Sequence, residues 1–155
     1  MTISEILAVD RIRLDVSAAS KKRALEEMSN LLAAAQSDLT PRAVFDRLLA
    51  RERLGSTGLG RGVGLPHGRV PNLDRTVGAF IKMETGVDYD SPDGEPVDLL
   101  FGLLVPEECT DEHLEILAQL AGAFDDDRLR SELRGKISVR EVCAKMDQQS
   151  ARDAA

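Results

Sequence analysis

The chain of 155 residues holds two histidines, and one of them, His67, sits where phosphoryl chemistry is feasible. It lies between Pro66 and Gly68 at the end of Gly55-Ser56-Thr57-Gly58-Leu59-Gly60-Arg61-Gly62-Val63-Gly64-Leu65-Pro66-His67. Six of the twelve glycines fall between Arg51 and Val70. Residues without a Cβ let backbone amides approach an anion and converge on it, which is how loops cradle phosphate. Imidazole, with an ordinary pKa of about 6.5, stays largely neutral at pH 7 and is therefore a competent nucleophile. Attack on phosphorus would give a phosphohistidine, a covalent intermediate that divides one transfer into two steps. Proline before the histidine and glycine after it would fix the ring's exit and leave room for the phosphoryl group. Arg51 offers a planar fork to phosphoryl oxygens, and Ser56 and Thr57 offer hydroxyl donors. With Gly68, these make up the candidate phosphate-binding set.

Two nucleotide-binding patterns do not fit this segment. No Gly-Lys-Ser/Thr follows the glycines, so it is not a P-loop, and no third glycine completes GxGxxG. On glycine content alone it reads as a flexible loop of turns. His113, the second histidine, falls in the first turn of an expected helix, beside Asp111 and Glu112. It is either an ordinary helix-start residue or, if it faces His67, a hydrogen-bond donor to the phosphoryl group. A metal site from His67, His113 and nearby carboxylates or Cys109 is conceivable, but the histidines are 46 residues apart and no tight ligand spacing supports it. No metal and no cofactor is expected.

These residues need a scaffold, and its elements are visible in the pattern. Ile12, Leu14 and Val16 alternate with charged residues, predicting a half-buried strand. Ser20 caps a helix with Leu25, Met28, Leu32 and Ala35 on one face. Thr40-Pro41 opens a second helix with Val44, Phe45, Leu48 and Leu49 inward, ending at Gly55. Strands follow at Val77 to Met83 and Val97 to Val105, separated by a turn centred on Asp93-Gly94 and closed by Pro106. Thr110 caps the next helix, with Leu114, Leu117, Ala118 and Ala121 expected to face the core. A short helix, 127–134, ends near Gly135. Ser138 and Glu141 form a capping box for the last helix, and residues 150–155 are expected to fray. Interleaved helices and strands predict a single α/β domain over residues 1–149, one sheet covered by helices.

Composition sets the outer limits. A chain of this length fits one domain able to bury a core without disulfides. Apolar residues are 43% and charged residues 30%, a globular balance. The longest uncharged apolar run, Leu99 to Val105, is far short of the roughly 20 residues that span a membrane. The N-terminal segment lacks the pattern of a secretory signal, and Cys109 and Cys143 form no CxxC, which together suit a cytoplasmic protein. Net charge is −7, distributed as +5 over residues 40–83 and −14 over residues 84–127. Such polarity either steers partners or reflects two solvated faces. With aromatics at 3%, nucleic-acid binding is not expected, nor is membrane insertion.

The segment LGSTGLGRGVGLPHGR, with Arg-Glu just before it, resembles the enzyme IIA domains of the bacterial phosphotransferase system, in the fructose/mannitol/nitrogen-regulatory superfamily. PVDLLFGLLVPEECTDEHLEILAQLA resembles the second block of the same family, so the likeness spans nearly the whole chain. It implies that His67 is the phospho-accepting residue, modified at Nε2, with His113 supporting it and Arg51, 16 residues upstream, contacting phosphate. It also implies a mixed sheet flanked by helices. Among the branches, the chain looks most like the nitrogen-regulatory type. The expected function is a phosphocarrier charged by an HPr-like donor, itself charged through enzyme I from phosphoenolpyruvate, with phosphorylation used for regulation of a target protein. One alternative is a sugar-specific enzyme IIA that passes phosphate to a IIB domain for fructose or mannitol uptake. A second is a regulatory binding module with little phosphate flux. Leu59 and Leu65 are the expected apolar landing points for the donor.

Overall fold

The computed structural model describes the backbone of residues 1–109 and 111–154, and side-chain surroundings for residues 1–109 and 111–149. Helices are α1 (Ile3–Ile6), α2 (Lys21–Ala33), α3 (Pro41–Glu52), α4 (Asp111–Phe124), α5 (Asp127–Arg134) and α6 (Val139–Ala154). Strands are β1 (Ile12–Val16), β2 (Gly58–Gly60), β3 (Val63–Gly64), β4 (His67–Val70), β5 (Val77–Val87) and β6 (Val97–Pro106). They form one mixed sheet ordered β1-β5-β6-β3-β2, with β4 also on β6. The expected α/β architecture is what the chain adopts.

Local chemistry explains the helices. Ser20 accepts a hydrogen bond from the Arg23 amide at 3.2 Å and Thr40 one from the Ala43 amide at 3.1 Å, satisfying orphan first-turn donors. Asp126 accepts from the amides of Arg128 and Leu129 and starts α5. Ser138 and Glu141 exchange the two bonds of a capping box at 3.1 and 3.2 Å. The expected cap at Thr110 lies outside the described residues, as do the side chains of 150–155, where α6 carries the helical backbone through Ala154.

β6 organises the fold. Flanked by strands on both edges and buried on both faces, it sends Leu100 and Leu104 into one core with α2 and α3. Leu99, Phe101, Leu103 and Val105 enter a second core with α1, α4, α5 and α6. At Gly102 a Cβ would collide with the Met28 side chain, so glycine lets α2 lie directly on the strand. β5 pairs antiparallel with β6, whereas β3 and β4 follow one another along its other edge, both parallel to it.

Three expectations change. β1 bulges between Arg13 and Val16, with Asp15 at a φ of 57°. The bulge sends Val16 into the α2–α3 core while Ile12 and Leu14 pack on the opposite one, so the three do not share a face. The glycine-rich segment is a series of short strands, β2 to β4, rather than a flexible loop. Third, α4 is rotated relative to the expected face: His113, Ile116, Leu120, Ala123 and Phe124 are buried. Leu117 and Ala121 are only partly covered, Ala118 is exposed, and Leu114 is 65% exposed. Both faces of this helix are rich in apolar residues, and spacing alone does not choose between them. Residues 1–11 also hold α1 and a 3-10 turn at Val9–Arg11 that no periodicity announced.

Candidate functional site

α3 and the loop behind it carry the first half of the site. Val44, Phe45 and Leu48 face the core, and Arg51 emerges on the helix's flank in its last turn. There Nη1 of Arg51 donates to the Gly55 carbonyl at 2.8 Å, folding the guanidinium back over the loop. Ser56 Oγ donates to the Tyr89 carbonyl at 2.9 Å and accepts from the Gly58 amide at 3.1 Å. Thr57 is buried, and its hydroxyl bonds the Glu52 carboxylate. Both hydroxyls therefore hold the loop in place. Gly68 is buried within β4, where a Cβ would stand 3.3 Å from the Arg47 Cβ. Its missing side chain lets α3 pack against the strand.

The histidines come together through β6. His67 opens β4 opposite Leu103, and α4 follows β6, so the chain returns His113 to the same end of the sheet. Their ring centroids are 5.4 Å apart. His67 Nδ1 lies 2.8 Å from the Leu65 carbonyl. A carbonyl only accepts, so Nδ1 carries the proton and the Nε2 lone pair is left for chemistry. Burial holds the His67 pKa below the usual histidine value; the Leu65 bond and Glu52 oppose the shift, and Arg51 adds to it. His113 is 7% exposed, and its Nδ1 has no protein partner. Burial, followed by the positive fields of His67, Arg69 and Arg51, lowers its pKa from 6.5 to about 4. Both shifts favour the neutral imidazole at pH 7.

Two depressions meet at His67 and Arg51. One, of about 370 Å³, is lined by Arg47, Arg51, Leu54, Arg69 and His113 among others. The other, of about 330 Å³, is lined by Ser56, Thr57, Leu59, Leu65, Leu117 and Ala121 among others. Leu54, at 85% exposed, and Leu59 line them and stand out of the surface, and Leu114, also exposed, lies one turn of α4 before Leu117. Leu65 is buried, so of the two leucines expected to meet a partner only Leu59 is free to do so. Among the described residues no group of three His, Cys, Asp or Glu side chains could hold a metal ion.

Three further residues at the site, Arg47, Arg69 and Glu52, lie outside the motif-based set. Arg47 lies one turn before Arg51 on α3, and Arg69 shares its side of β4 with His67, so i,i+4 and i,i+2 spacing pointed to both. Glu52 continues the buried stripe of Val44 and Leu48 one turn on. A carboxylate on a core stripe was the available signal.

Residues 5–148 match the family model described as phosphoenolpyruvate-dependent sugar phosphotransferase system, EIIA 2. A nitrogen regulatory protein of Pseudomonas aeruginosa is 43% identical over 132 residues, covering 85% of this chain and 86% of its own length. The crystal structure of nitrogen regulatory protein IIA-Ntr from Neisseria meningitidis superposes with a TM-score of 0.88 at 49% identity, over 93% of this chain and 98% of that one. The IIA mannitol structure from Escherichia coli gives 0.75 at 26% identity, over 90% and 97%. No helix among the described residues is long and apolar enough to cross a membrane. With its fold shared and nearly its whole length matched, the chain belongs to the EIIA 2 family of the phosphoenolpyruvate-dependent phosphotransferase system and is a IIA-type component whose likeness is greatest to the nitrogen regulatory branch.

Proposed function

We propose that this protein accepts a phosphoryl group on Nε2 of His67 from the phosphohistidine of an HPr-like carrier. The observation that carries the reading is the anchoring of His67 Nδ1–H on the Leu65 carbonyl, which fixes the tautomer and leaves Nε2 as the nucleophile. In the transfer, the Nε2 lone pair forms the new N–P bond as the donor's N–P bond breaks. The electron pair of that bond returns to the donor imidazole. The proton stays on Nδ1, hydrogen-bonded to the Leu65 carbonyl, throughout. The donor carries the transfer potential, so the step is one of positioning and charge stabilisation. A phosphoryl group brings about −1.5 to −2 charges at neutral pH. Arg51, at the meeting of the two depressions, is the bidentate partner, and Arg47 and Arg69 add positive field at the same mouth. His113 Nδ1 or Nε2 supplies a further hydrogen bond. Gly68 acts by letting α3 lie close against β4 at the site, while Ser56 and Thr57 act through the loop they fasten.

Higher identity to the nitrogen regulatory relatives than to the mannitol IIA protein favours a regulatory use of the phosphorylated state. Phosphorylation would switch which protein docks on the leucine-lined surface around His67. Incubation with phosphoenolpyruvate, enzyme I and either a nitrogen-type or a sugar-type HPr, followed by intact-mass measurement, tests this. One phosphoryl group on the wild-type chain, gained faster from the nitrogen-type donor and absent in His67→Ala, is expected. Full donor-dependent phosphorylation of His67→Ala contradicts the acceptor, and preference for the sugar-type donor contradicts the branch.

A further inference from the structure

We propose that Glu52 is a positioning residue for phosphoryl transfer: its buried carboxylate fixes the loop that orients the His67 ring. The inference rests on His67 being the acceptor.

Glu52 is the last residue of α3 and is 7% exposed. Its Oε1 accepts from the Thr57 amide at 3.1 Å and from Lys21 Nζ of α2 at 2.9 Å. Its Oε2 accepts from the Thr57 hydroxyl and from the Tyr89 hydroxyl at 3.3 Å. Lys21 Nζ also lies 4.4 Å from the centroid of the Tyr89 ring. One carboxylate thus joins α2, the loop after α3 and the segment after β5.

From Thr57 the bonding continues to the nucleophile. The Thr57 carbonyl accepts from the Leu65 amide at 3.0 Å, and the Leu65 carbonyl accepts from His67 Nδ1 at 2.8 Å. Glu52, Thr57, Leu65 and His67 form one continuous series of contacts. Arg51 holds Gly55 from the outer side while its neighbour Glu52 holds Thr57 from the inner side, so two consecutive α3 residues clamp one short loop.

Stability alone does not account for a carboxylate here. Val44 and Leu48 form the stripe that Glu52 extends, and an apolar side chain there would avoid the desolvation of a buried charge. Only a group with several acceptor lone pairs serves both Thr57 donors together with Lys21 and Tyr89. Misplacing a nucleophile by about 1 Å can cost about 10²-fold in rate, so a fixed loop has a direct kinetic value.

The test compares the full-length wild type, Glu52→Gln and Glu52→Ala by two readouts. The first is the ¹⁵N spectrum of the His67 ring in unphosphorylated protein, which reports the tautomer without any donor. The second is single-turnover transfer from a phosphorylated HPr-type carrier over a range of donor concentrations. In Glu52→Ala the Nδ1–H signature should give way to a tautomer mixture. The rate at saturating donor should fall about 10-fold or more, with the half-saturating concentration changed less than about threefold. Glu52→Gln keeps an acceptor for the Thr57 amide and should recover most of both properties. Wild-type ring signals and rate in folded Glu52→Ala overturn the proposal. Should that variant not fold, Glu52→Met keeps the side chain's bulk and removes both acceptor oxygens; wild-type values there overturn it equally. A wild-type chain that takes no phosphoryl group contradicts the acceptor reading instead, and the ring spectrum still decides the role of Glu52.

Discussion

His67 and His113 face each other with ring centroids 5.4 Å apart and planes tilted by 49°. β6 makes the pair: β4 lies along one of its edges, and α4 follows it directly in the chain. Because His113 is buried with an unpartnered Nδ1, its ring has unused hydrogen-bonding capacity when His67 is bare. His113→Ala should slow phosphoryl transfer by about 10²-fold, the loss typical of one transition-state donor. It should also lower stability by about 1–3 kcal/mol, as emptying a buried position does. Rapid-quench kinetics and urea denaturation measure the two effects separately.

The same burial makes stability depend on pH. The pKa of His113 is about 4 in the folded chain, against 6.5 as its ordinary value. Between these values the unfolded chain binds the proton and the folded chain does not. The stabilisation is present above pH 6.5 and is lost as pH falls towards 4. By pH 5, His113 alone should remove about 2 kcal/mol relative to pH 7.5. His67 is shifted in the same direction and adds to the loss. Asp93 and Glu132 are lowered from 3.8 and 4.5, so their losses fall mainly below this window. The gap between urea midpoints at pH 7.5 and 5 should narrow in His113→Gln, leaving the part that His67 contributes.

Arg51 is the cation whose shape matters. Its Nη1 is engaged with the Gly55 carbonyl, which aims the rest of the fork at the depression beside His67. Arg51→Ala should slow transfer by about 10²-fold. Arg51→Lys should restore only part of the rate, because an ammonium group cannot hold Gly55 and a phosphoryl oxygen in one plane. Single-turnover rates for both variants check this.

Much of the scaffold was readable in the chain because its signals are local. Ser20, Thr40 and the Ser138–Glu141 pair cap the helices they announce. The run Val97 to Val105 is the central strand that its two-sided apolarity implies. What was not readable depends on distant packing. The face of α4 is chosen by β6 and α6, so Leu114 turned outward and His113 inward. Likewise, the partners of Glu52 come from positions 21, 57 and 89, and no spacing rule links them.

The outward turn of α4 has its own consequence. Leu114, at 65% exposed, contributes little to the core, so Leu114→Glu should change stability by no more than about 0.5 kcal/mol. If the leucines around His67 meet the donor, the half-saturating donor concentration should rise about 10-fold or more with little change in the saturated rate. Equal donor dependence in wild type and variant would remove Leu114 from that surface.

Phosphoryl acceptance rests on one atom, Nε2 of His67. ¹⁵N and ³¹P NMR of the chain after charging with phosphoenolpyruvate, enzyme I and an HPr-type donor reads that atom directly. Phosphorus coupling to Nε2 of His67, with Nδ1 still protonated, and a label that is lost in acid but stable in base are expected. Coupling to Nδ1 or to His113, or a label that survives acid and is lost in strong base as an ester on Ser56 or Thr57 would be, contradicts it.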